Sequence, residues 1–281
     1  MDRRNGAPHL VPVRSEPQGQ VRPLKHPRPV PLPGCGRPSA LKENTMKAQT
    51  HVLFLPGLLN DASLFQQQID VLSAVASTDV ADLTQAETIA DAARSVLDLA
   101  PKEPFVLVGL SLGGYVAFEI MRQAPERVAA LALLDTSARP ESPEARAART
   151  ALMTLAETDL EAVFEELMPR LSHPDRMNQP AVRGVVHSMM SSLGKGIFLR
   201  QQRMIMARPD SRPSLADIRC PTLVICGRED LITPLPIAAE IAAGIQDLRL
   251  CIVENCGHLS PLDQPDEVAR LLLEWITHLR P

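Results

Sequence analysis

Three polar residues of the types that catalyse acyl transfer each follow a short apolar run in this sequence. Ser111 follows FVLVG, Asp230 follows TLVICG, and His258 follows RLCIVE. A serine hydroxyl is too weakly acidic to attack a carbonyl unaided, so it needs a base such as histidine. The imidazole needs an anion that fixes its tautomer and stabilises its protonated form. The residue types therefore predict that Ser111 is a nucleophile, His258 a proton carrier and Asp230 its orienting acid.

The surroundings of Ser111 carry more information than its motif, because Gly-x-Ser-x-Gly recurs by chance in roughly one chain in ten of this length. A serine at a sharp strand-to-helix turn sits in strained backbone, usually with positive φ. Its neighbours two positions away must be small, which explains Gly109 and Gly113. The following N–H, of Leu112, would lie at a helix N-terminus, where it can stabilise negative charge. The alternative is a tight turn that merely contains a serine.

Other residues compete for the roles of acid and base. Glu229 is a neighbour of Asp230 on the same loop, and Asp135 ends the run VAALALLD. We interpret Asp135 mainly as a helix-capping aspartate. His258 could instead be a loop histidine that caps the last helix.

Six apolar runs alternate with helical patterns from residue 51 onward. The runs are continuously apolar, as expected for parallel strands covered on both faces. This succession predicts an α/β fold with a doubly wound, mostly parallel sheet of about six strands. Residues 137–213 carry only helical patterns, which predicts a helical cap inserted between core segments 46–136 and 214–281. The predicted strands are 51–56, 75–82, 105–109, 128–135, 222–227 and 249–254.

Residues 1–45 form a Pro/Arg-rich segment with nine prolines, and with eight Lys and Arg against three acidic residues. Such a composition buries too little apolar surface to offset its ordering entropy, which predicts a disordered tail. Met46 immediately precedes the first strand. We expect the folded protein to begin there.

Composition excludes several classes of function. The net charge of −4 argues against nucleic-acid binding, and no apolar stretch reaches the roughly eighteen residues of a membrane span. No apolar segment follows Arg3 and Arg4 as a signal peptide requires, and the five cysteines are an odd number, so we expect reduced thiols in the cytoplasm. Phosphate-loop, dinucleotide and metal-ligand spacings are lacking, so neither a metal nor another cofactor is expected. The oligomeric state cannot be predicted.

The chain from about residue 46 to 281 resembles the α/β-hydrolase superfamily. The order Ser111, Asp230, His258, each just past a strand, is the order of that superfamily. The segments that carry the resemblance are LPGLLND (55–61), GLSLGG (109–114), GREDLITP (227–234) and CGHLSPLDQP (256–265).

The resemblance implies a helical cap after the family's sixth strand and a second oxyanion donor. In the family, a His-Gly-x loop follows the first shared strand, and residue x donates its backbone N–H. Leu58 matches x, while Pro56 replaces the histidine. The two N-terminal strands of the family have no counterpart here, which leaves six strands. Halide- and epoxide-opening relatives usually have Asp where Ser111 stands.

The expected function is therefore that of a serine hydrolase acting on esters of small to medium carboxylic acids through an acyl-enzyme. The alternatives are a thioesterase, an enol-lactonase, a C–C bond hydrolase or lyase, and a non-catalytic ligand receptor on the same fold. An apolar rim favours a neutral acyl group, and Arg139 is more simply a solvated arginine than a ligand for a substrate carboxylate. The predicted pocket residues are Leu59, Met153, Met189 and Met190, although methionines also fill ordinary cores.

Overall fold

A sheet of six parallel strands forms the centre of the protein, as the sequence predicts. The computed structural model describes residues 50–279, so the predictions for the tail 1–45 and for a start at Met46 lie outside the described residues. All six predicted strands are confirmed within two residues at each end. They are β1 (Thr50–Leu55), β2 (Ala76–Val80), β3 (Phe105–Leu110), β4 (Val128–Leu134), β5 (Thr222–Gly227) and β6 (Leu248–Val253).

The strand order is β2-β1-β3-β4-β5-β6, so the chain adds β2 on one side of β1 and every later strand on the other side. Val52 of β1 is paired with Val106 of β3 in parallel register. The reversal of direction between β1 and β3 leaves a crevice at the carboxyl ends of these strands, where open α/β sheets bind ligands. Ser111 and Leu58 follow these two strands.

Alternate residues of each strand point to opposite faces of the sheet, and each face has its own apolar core. Val52 and Phe54 pack with helices α1 and α9, whereas Leu53 and Leu55 pack with α2, α3 and α7. Helices therefore cover both faces, which confirms the doubly wound arrangement. The helices are α1 (Gln66–Leu72), α2 (Ile89–Leu99), α3 (Leu112–Gln123), α4 (Pro143–Thr158), α5 (Leu160–Leu171), α6 (Pro180–Met206), α7 (Leu235–Gly244), α8 (Ser260–Asp263) and α9 (Pro265–His278).

Helices α4, α5 and α6 make up the long insertion between β4 and β5, which we call the cap. Side chains cap the first two: Ser142 accepts a hydrogen bond from the N–H of Ala145, and Asp159 from that of Ala162. Helix α6 is the longest of the three, with 27 residues. Gly194, with φ 76° and ψ 176°, breaks it into two pieces. Glycine tolerates this left-handed backbone without the steric cost of a Cβ.

Between residues 50 and 279, no helix combines the length and apolar character needed to cross a bilayer. The cysteines in this range, Cys220, Cys226, Cys251 and Cys256, all have free thiols.

Candidate active site

Ser111 occupies the sharp turn between β3 and α3. Its backbone has φ 53° and ψ −111°, a conformation that non-glycine residues rarely adopt. Two hydrogen bonds hold the turn: the N–H of Ser111 donates to the Leu134 carbonyl at 3.0 Å, and Thr136 Oγ1 donates to the Ser111 carbonyl at 2.8 Å. Both partners follow or end the neighbouring strand β4, so the sheet itself fixes the strained serine.

The glycines around Ser111 are required by close backbone approach. A Cβ on Gly109 would lie 2.6 Å from the Gly113 carbonyl oxygen, and a Cβ on Gly113 would collide with the Leu55 carbonyl. In both cases the added Cβ meets a backbone atom, so turning a side chain cannot relieve the collision. The small residues expected beside the turn are therefore explained by its geometry.

The hydroxyl, imidazole and carboxylate form one hydrogen-bonded line. Ser111 Oγ lies 2.9 Å from His258 Nε2, and His258 Nδ1 lies 2.9 Å from Asp230 Oδ2. An ionised carboxylate only accepts hydrogen bonds, so Nδ1 carries the imidazole proton and Nε2 is free to accept from the hydroxyl. This is the tautomer that a general base for Ser111 needs.

The environment of Asp230 keeps it ionised. Burial by itself raises the pKa of Asp230, but attraction to His258 and hydrogen bonds from His258 and Thr233 outweigh this and lower the pKa to about 2. Thr233 donates from both its N–H, at 2.9 Å to Oδ1, and its hydroxyl, at 2.6 Å to Oδ2. Burial lowers the pKa of His258, but the attraction of Asp230 wins and raises it above the ordinary value. Asp230 therefore stabilises the protonated form of His258. His258 would take this form if it accepted the proton of the Ser111 hydroxyl.

The rival acids point elsewhere. Glu229 Oε2 accepts a hydrogen bond from the Cys256 N–H at 2.9 Å. Asp135 Oδ1 accepts from the Gly227 N–H at 2.9 Å, and its Oδ2 accepts from the Ser260 N–H at 3.3 Å. Asp135 thus links the loops that carry the acid and the histidine and makes no hydrogen bond to His258. It does not cap α4, whose N-terminus is capped by Ser142, but it accepts a hydrogen bond from the N–H of Ser260, the first residue of α8.

Asp135 differs from Asp230 in charge state as well as in position. Burial, with repulsion from Asp230 as the second cause, raises the pKa of Asp135 to about 8. Cys226 Sγ lies with one carboxyl oxygen of each aspartate in a group no wider than 4.8 Å. Burial also raises the pKa of the Cys226 thiol, which keeps this sulfur protonated. The group is therefore a neutral acid and a thiol beside one carboxylate.

Two backbone N–H groups stand beside the serine without an acceptor among the described residues: those of Leu58 and Leu112. Leu112 begins α3, and Leu58 lies in the loop after β1 and lines the same cavity as Ser111. The neighbouring Leu59, with φ 51°, donates its N–H to Gln201 Oε1 at 2.8 Å. The buried Gln201 of the cap therefore holds the loop after β1. In this loop Pro56 stands at the position where the family usually has a histidine.

A cavity of about 150 Å³ lies between the sheet edge and the cap, with Ser111 and His258 in its wall. Of the four residues expected in the substrate pocket, Leu59 and Met190 line this cavity, and Met153 and Met189 do not. The wall contributed by α4 consists of Ala145, Ala148, Arg149 and Leu152.

Helix geometry explains both departures from the predicted pocket. The α4 wall residues repeat at i, i+3, i+4 and i+7, and Met153 lies about 100° away from Leu152 around the helix. Met189 is buried in the core, and its sulfur lies 3.5 Å from the Asp61 N–H. Methionine content identifies a helical lobe but not which of its faces meets the cavity.

Several residues around the site were missed by sequence reasoning. Asp263 is completely buried and accepts hydrogen bonds from the Gly257 and His173 N–H groups, both at 2.7 Å, and from the Ser172 hydroxyl. It thus fixes the histidine loop against the cap. Its only signal was its place in CGHLSPLDQP. Arg149 and Gln202, which also line the cavity, had none.

The sequence of residues 21–271 matches the family model described as "Alpha/beta hydrolase family". This match covers most of the chain and agrees with the sheet, the serine turn and the loop order described above. The chain belongs to the alpha/beta hydrolase family.

Similar members of the family have several activities. A pimeloyl-[acyl-carrier protein] methyl ester esterase of Aromatoleum aromaticum is 30% identical over 185 residues, 59% of this chain and 72% of that protein. A 2-hydroxy-6-oxo-6-phenylhexa-2,4-dienoate hydrolase of Comamonas testosteroni is 26% identical over 66% of this chain and 68% of its own. Among solved structures, a malate-bound thermophilic esterase from Thermogutta terrifontis is 28% identical with a TM-score of 0.76, and the match covers 83% of this chain and 91% of that one.

Proposed function

We propose that this alpha/beta hydrolase is a serine esterase that cleaves esters of small to medium carboxylic acids through an acyl-enzyme. The observation that carries the proposal is the hydrogen-bonded line from Ser111 through His258 to Asp230, whose serine end lies in the wall of a partly open, mostly apolar cavity. A cavity of about 150 Å³ is similar in size to one that holds a benzene ring, which suits a short acyl group.

In the proposed reaction, Ser111 Oγ attacks the ester carbonyl while His258 Nε2 takes its proton. Asp230 stabilises the resulting imidazolium, and the N–H groups of Leu58 and Leu112 stabilise the oxyanion. His258 then protonates the departing alcohol, which leaves the acyl group on Ser111. Water, deprotonated by the same imidazole, attacks the acyl-enzyme and releases the acid. Each oxyanion donor of this kind contributes about 3 kcal/mol to transition-state stabilisation.

The relatives support ester cleavage without selecting the substrate. Two of the similar proteins are named esterases, with 30% and 28% identity to this chain. The dienoate hydrolase of Comamonas testosteroni keeps C–C bond hydrolysis as a second candidate, because the same serine, histidine and acid would serve that reaction. A thioesterase or an enol-lactonase would use the same groups. A non-catalytic ligand receptor on this fold is the alternative from another class, and the labelling experiment below distinguishes it.

Replacing Ser111 with alanine tests the proposal. Ser111→Ala should lower kcat/KM by about four orders of magnitude or more on the best substrate, since it removes the nucleophile. The assay is a panel of p-nitrophenyl esters and acyl thioesters of rising chain length, with a dienoate substrate for C–C cleavage. Thermal unfolding should show a folded variant, because among residues 50–279 the Ser111 hydroxyl makes its hydrogen bond only to His258.

Labelling with a fluorophosphonate probe provides an independent readout. The wild-type protein should be modified on Ser111, and the alanine variant should stay unmodified. A loss of less than tenfold in Ser111→Ala would reject Ser111 as the nucleophile. An unmodified wild-type protein without turnover on any substrate would favour the receptor.

A further inference from the structure

The cap contains a cluster of charged side chains. The cluster has more positive than negative charges. Glu141 has a side chain only 1% exposed and forms ion pairs with Arg149, at 2.8 Å, and with Arg208. Arg208 also donates to the carbonyls of Arg139 and Ile205 and stacks on Tyr115. Two arginines share one carboxylate, so the cluster carries a net charge of about +1. Of the three residues of this cluster, Arg149 is the one that lines the cavity.

A buried amide next to Arg149 has an unused donor. Gln202 is completely buried, and its Oε1 accepts a hydrogen bond from Arg149 Nη1 at 2.8 Å. A guanidinium has no acceptor, so this contact fixes the amide with its oxygen toward Arg149. Gln202 Nε2 has no hydrogen-bond partner among the described residues. Buried polar groups in native proteins are normally paired, so an unpaired buried donor calls for an explanation.

The cavity supplies that explanation. Gln202 and Arg149 line the same cavity as Ser111 and His258. Leucine, isoleucine and alanine side chains provide most of the remaining wall, and Arg170 of α5 is a second arginine in it. The part at Arg149 is distinguished by a guanidinium that lies beside an unused buried donor. An anionic acceptor that enters the cavity would satisfy the amide and offset the charge together.

We propose that Arg149 and Gln202 form a binding subsite for a carboxylate on the acyl part of the substrate. This inference rests on the proposed esterase function and narrows it to half-esters of short dicarboxylic acids. The carboxylate accepts a hydrogen bond from Gln202 Nε2 and pairs with the charge of Arg149, while the methylene chain lies along the apolar wall. The ester carbonyl then lies at Ser111. The apolar rim led us to expect a neutral acyl group. We now propose an acyl group with an apolar chain and a charged end.

Two esters that differ only in charge test the subsite. Monomethyl glutarate carries the carboxylate, and methyl 4-carbamoylbutanoate carries a neutral amide of the same shape. The wild-type protein should prefer the half-ester by at least about tenfold in kcat/KM, because hydrogen bonds to charged groups are stronger than neutral ones. Comparable kcat/KM values for the two esters would overturn the subsite and leave the proposed esterase function standing.

Gln202→Glu is the most direct variant. It keeps an oxygen as acceptor for Arg149 but places a second acceptor where Nε2 stands. It should lose at least about tenfold on the half-ester and stay within about threefold of wild type on the amide ester. Arg149→Met is the second variant should Gln202→Glu unfold, and the same selective loss is expected. Arg270→Gln, at an exposed arginine of α9 that pairs with Glu267 and Glu274, is the matched control and should change neither value.

Binding separates failure of the subsite from failure of the proposed function. Titration calorimetry of Ser111→Ala with the two intact esters should give a dissociation constant at least about tenfold lower for the half-ester, and Gln202→Glu in the same background should remove that difference. A half-ester preference in binding without turnover in the wild type would support the subsite and reject the esterase function. A preference that survives in both Gln202→Glu and Arg149→Met would reject the subsite.

Discussion

Two buried aspartates lie close to one another beneath the site, and they have opposite tasks because their partners differ. Asp230 faces the imidazole and has a pKa lowered to about 2, whereas burial raises the pKa of Asp135 to about 8. Near neutral pH, one is a carboxylate and the other is mostly a neutral acid. Asp230 therefore supplies the main negative charge that acts on His258, and the carboxyl of Asp135 links two loops.

Asparagine substitutions distinguish these roles. Asp230→Asn should lower kcat by about 10⁴, because it removes the charge that fixes the tautomer of His258. Asp135→Asn replaces a mostly neutral acid by a neutral amide of the same shape, so kcat should fall by less than about tenfold. The measurement is steady-state kinetics on the best ester, with thermal unfolding of both variants as the control. The reverse order of losses would identify Asp135 as the acid that supports His258.

The pH dependence of the reaction should follow His258. Its pKa is raised: burial lowers it and Arg149 lowers it further, but attraction to Asp230, with a smaller contribution from Asp135, outweighs both. The base must be neutral to accept the serine proton, so kcat/KM should fall as the pH drops through this raised pKa. The midpoint of the acidic limb should therefore lie above about 6.5.

A kcat/KM profile between pH 5 and 9 measures that midpoint. The residual activity of Asp230→Asn should have its midpoint at lower pH than wild type, because the attraction is gone. A wild-type midpoint below the ordinary histidine value would contradict the described geometry.

The sequence was informative for residues whose role depends on their position along a strand. Ser111, Asp230 and His258 each follow an apolar run, and parallel strands bring such positions to one edge. Thr233 and Asp263 were not identified from the sequence. They hydrogen-bond other loop residues, and neither their type nor their spacing indicates this. Arg149 and Gln202 belong to different cap helices, and only the packing of α4 against α6 brings them together.

At the scale of elements, the strands were predictable because buried parallel strands are continuously apolar. The course of the second half of α6 was not, because Gly194 and Gly196 are poor helix formers and interrupt its apolar pattern. That half supplies both Gln201 and Gln202. Helix faces in the cap were equally hard to predict, as the misplacement of Met153 and Met189 shows.

The contact between α6 and the loop after β1 makes a further prediction. Gln201→Leu removes the acceptor of the Leu59 N–H and leaves a buried donor unpaired, which costs about 1–3 kcal/mol. Because the adjacent Leu58 carries the second oxyanion donor of the proposed mechanism, kcat should fall by about ten- to a hundredfold with a smaller change in KM. Gln201→Glu keeps an acceptor oxygen and should restore most of kcat.

Thermal unfolding and the fluorophosphonate labelling rate complete that test. Gln201→Leu should unfold at a lower temperature and label more slowly than Gln201→Glu. A purely structural role for Gln201 would lower the unfolding temperature and leave kcat unchanged.

Across the whole molecule, the cap is fastened to the catalytic edge at two separate places. Gln201 holds the loop after β1, while the N–H of Leu259 donates to the Leu171 carbonyl at 2.9 Å and Asp263 accepts from Ser172 and His173. One attachment is next to Leu58, the proposed oxyanion donor, and the other is next to His258.

A cap attached in this way cannot swing aside as a rigid lid without breaking these hydrogen bonds or moving the loops that carry Leu58 and His258. Evolution of a new specificity by replacing the whole cap would have to rebuild both attachments, whereas substitutions confined to the cavity wall would leave them in place.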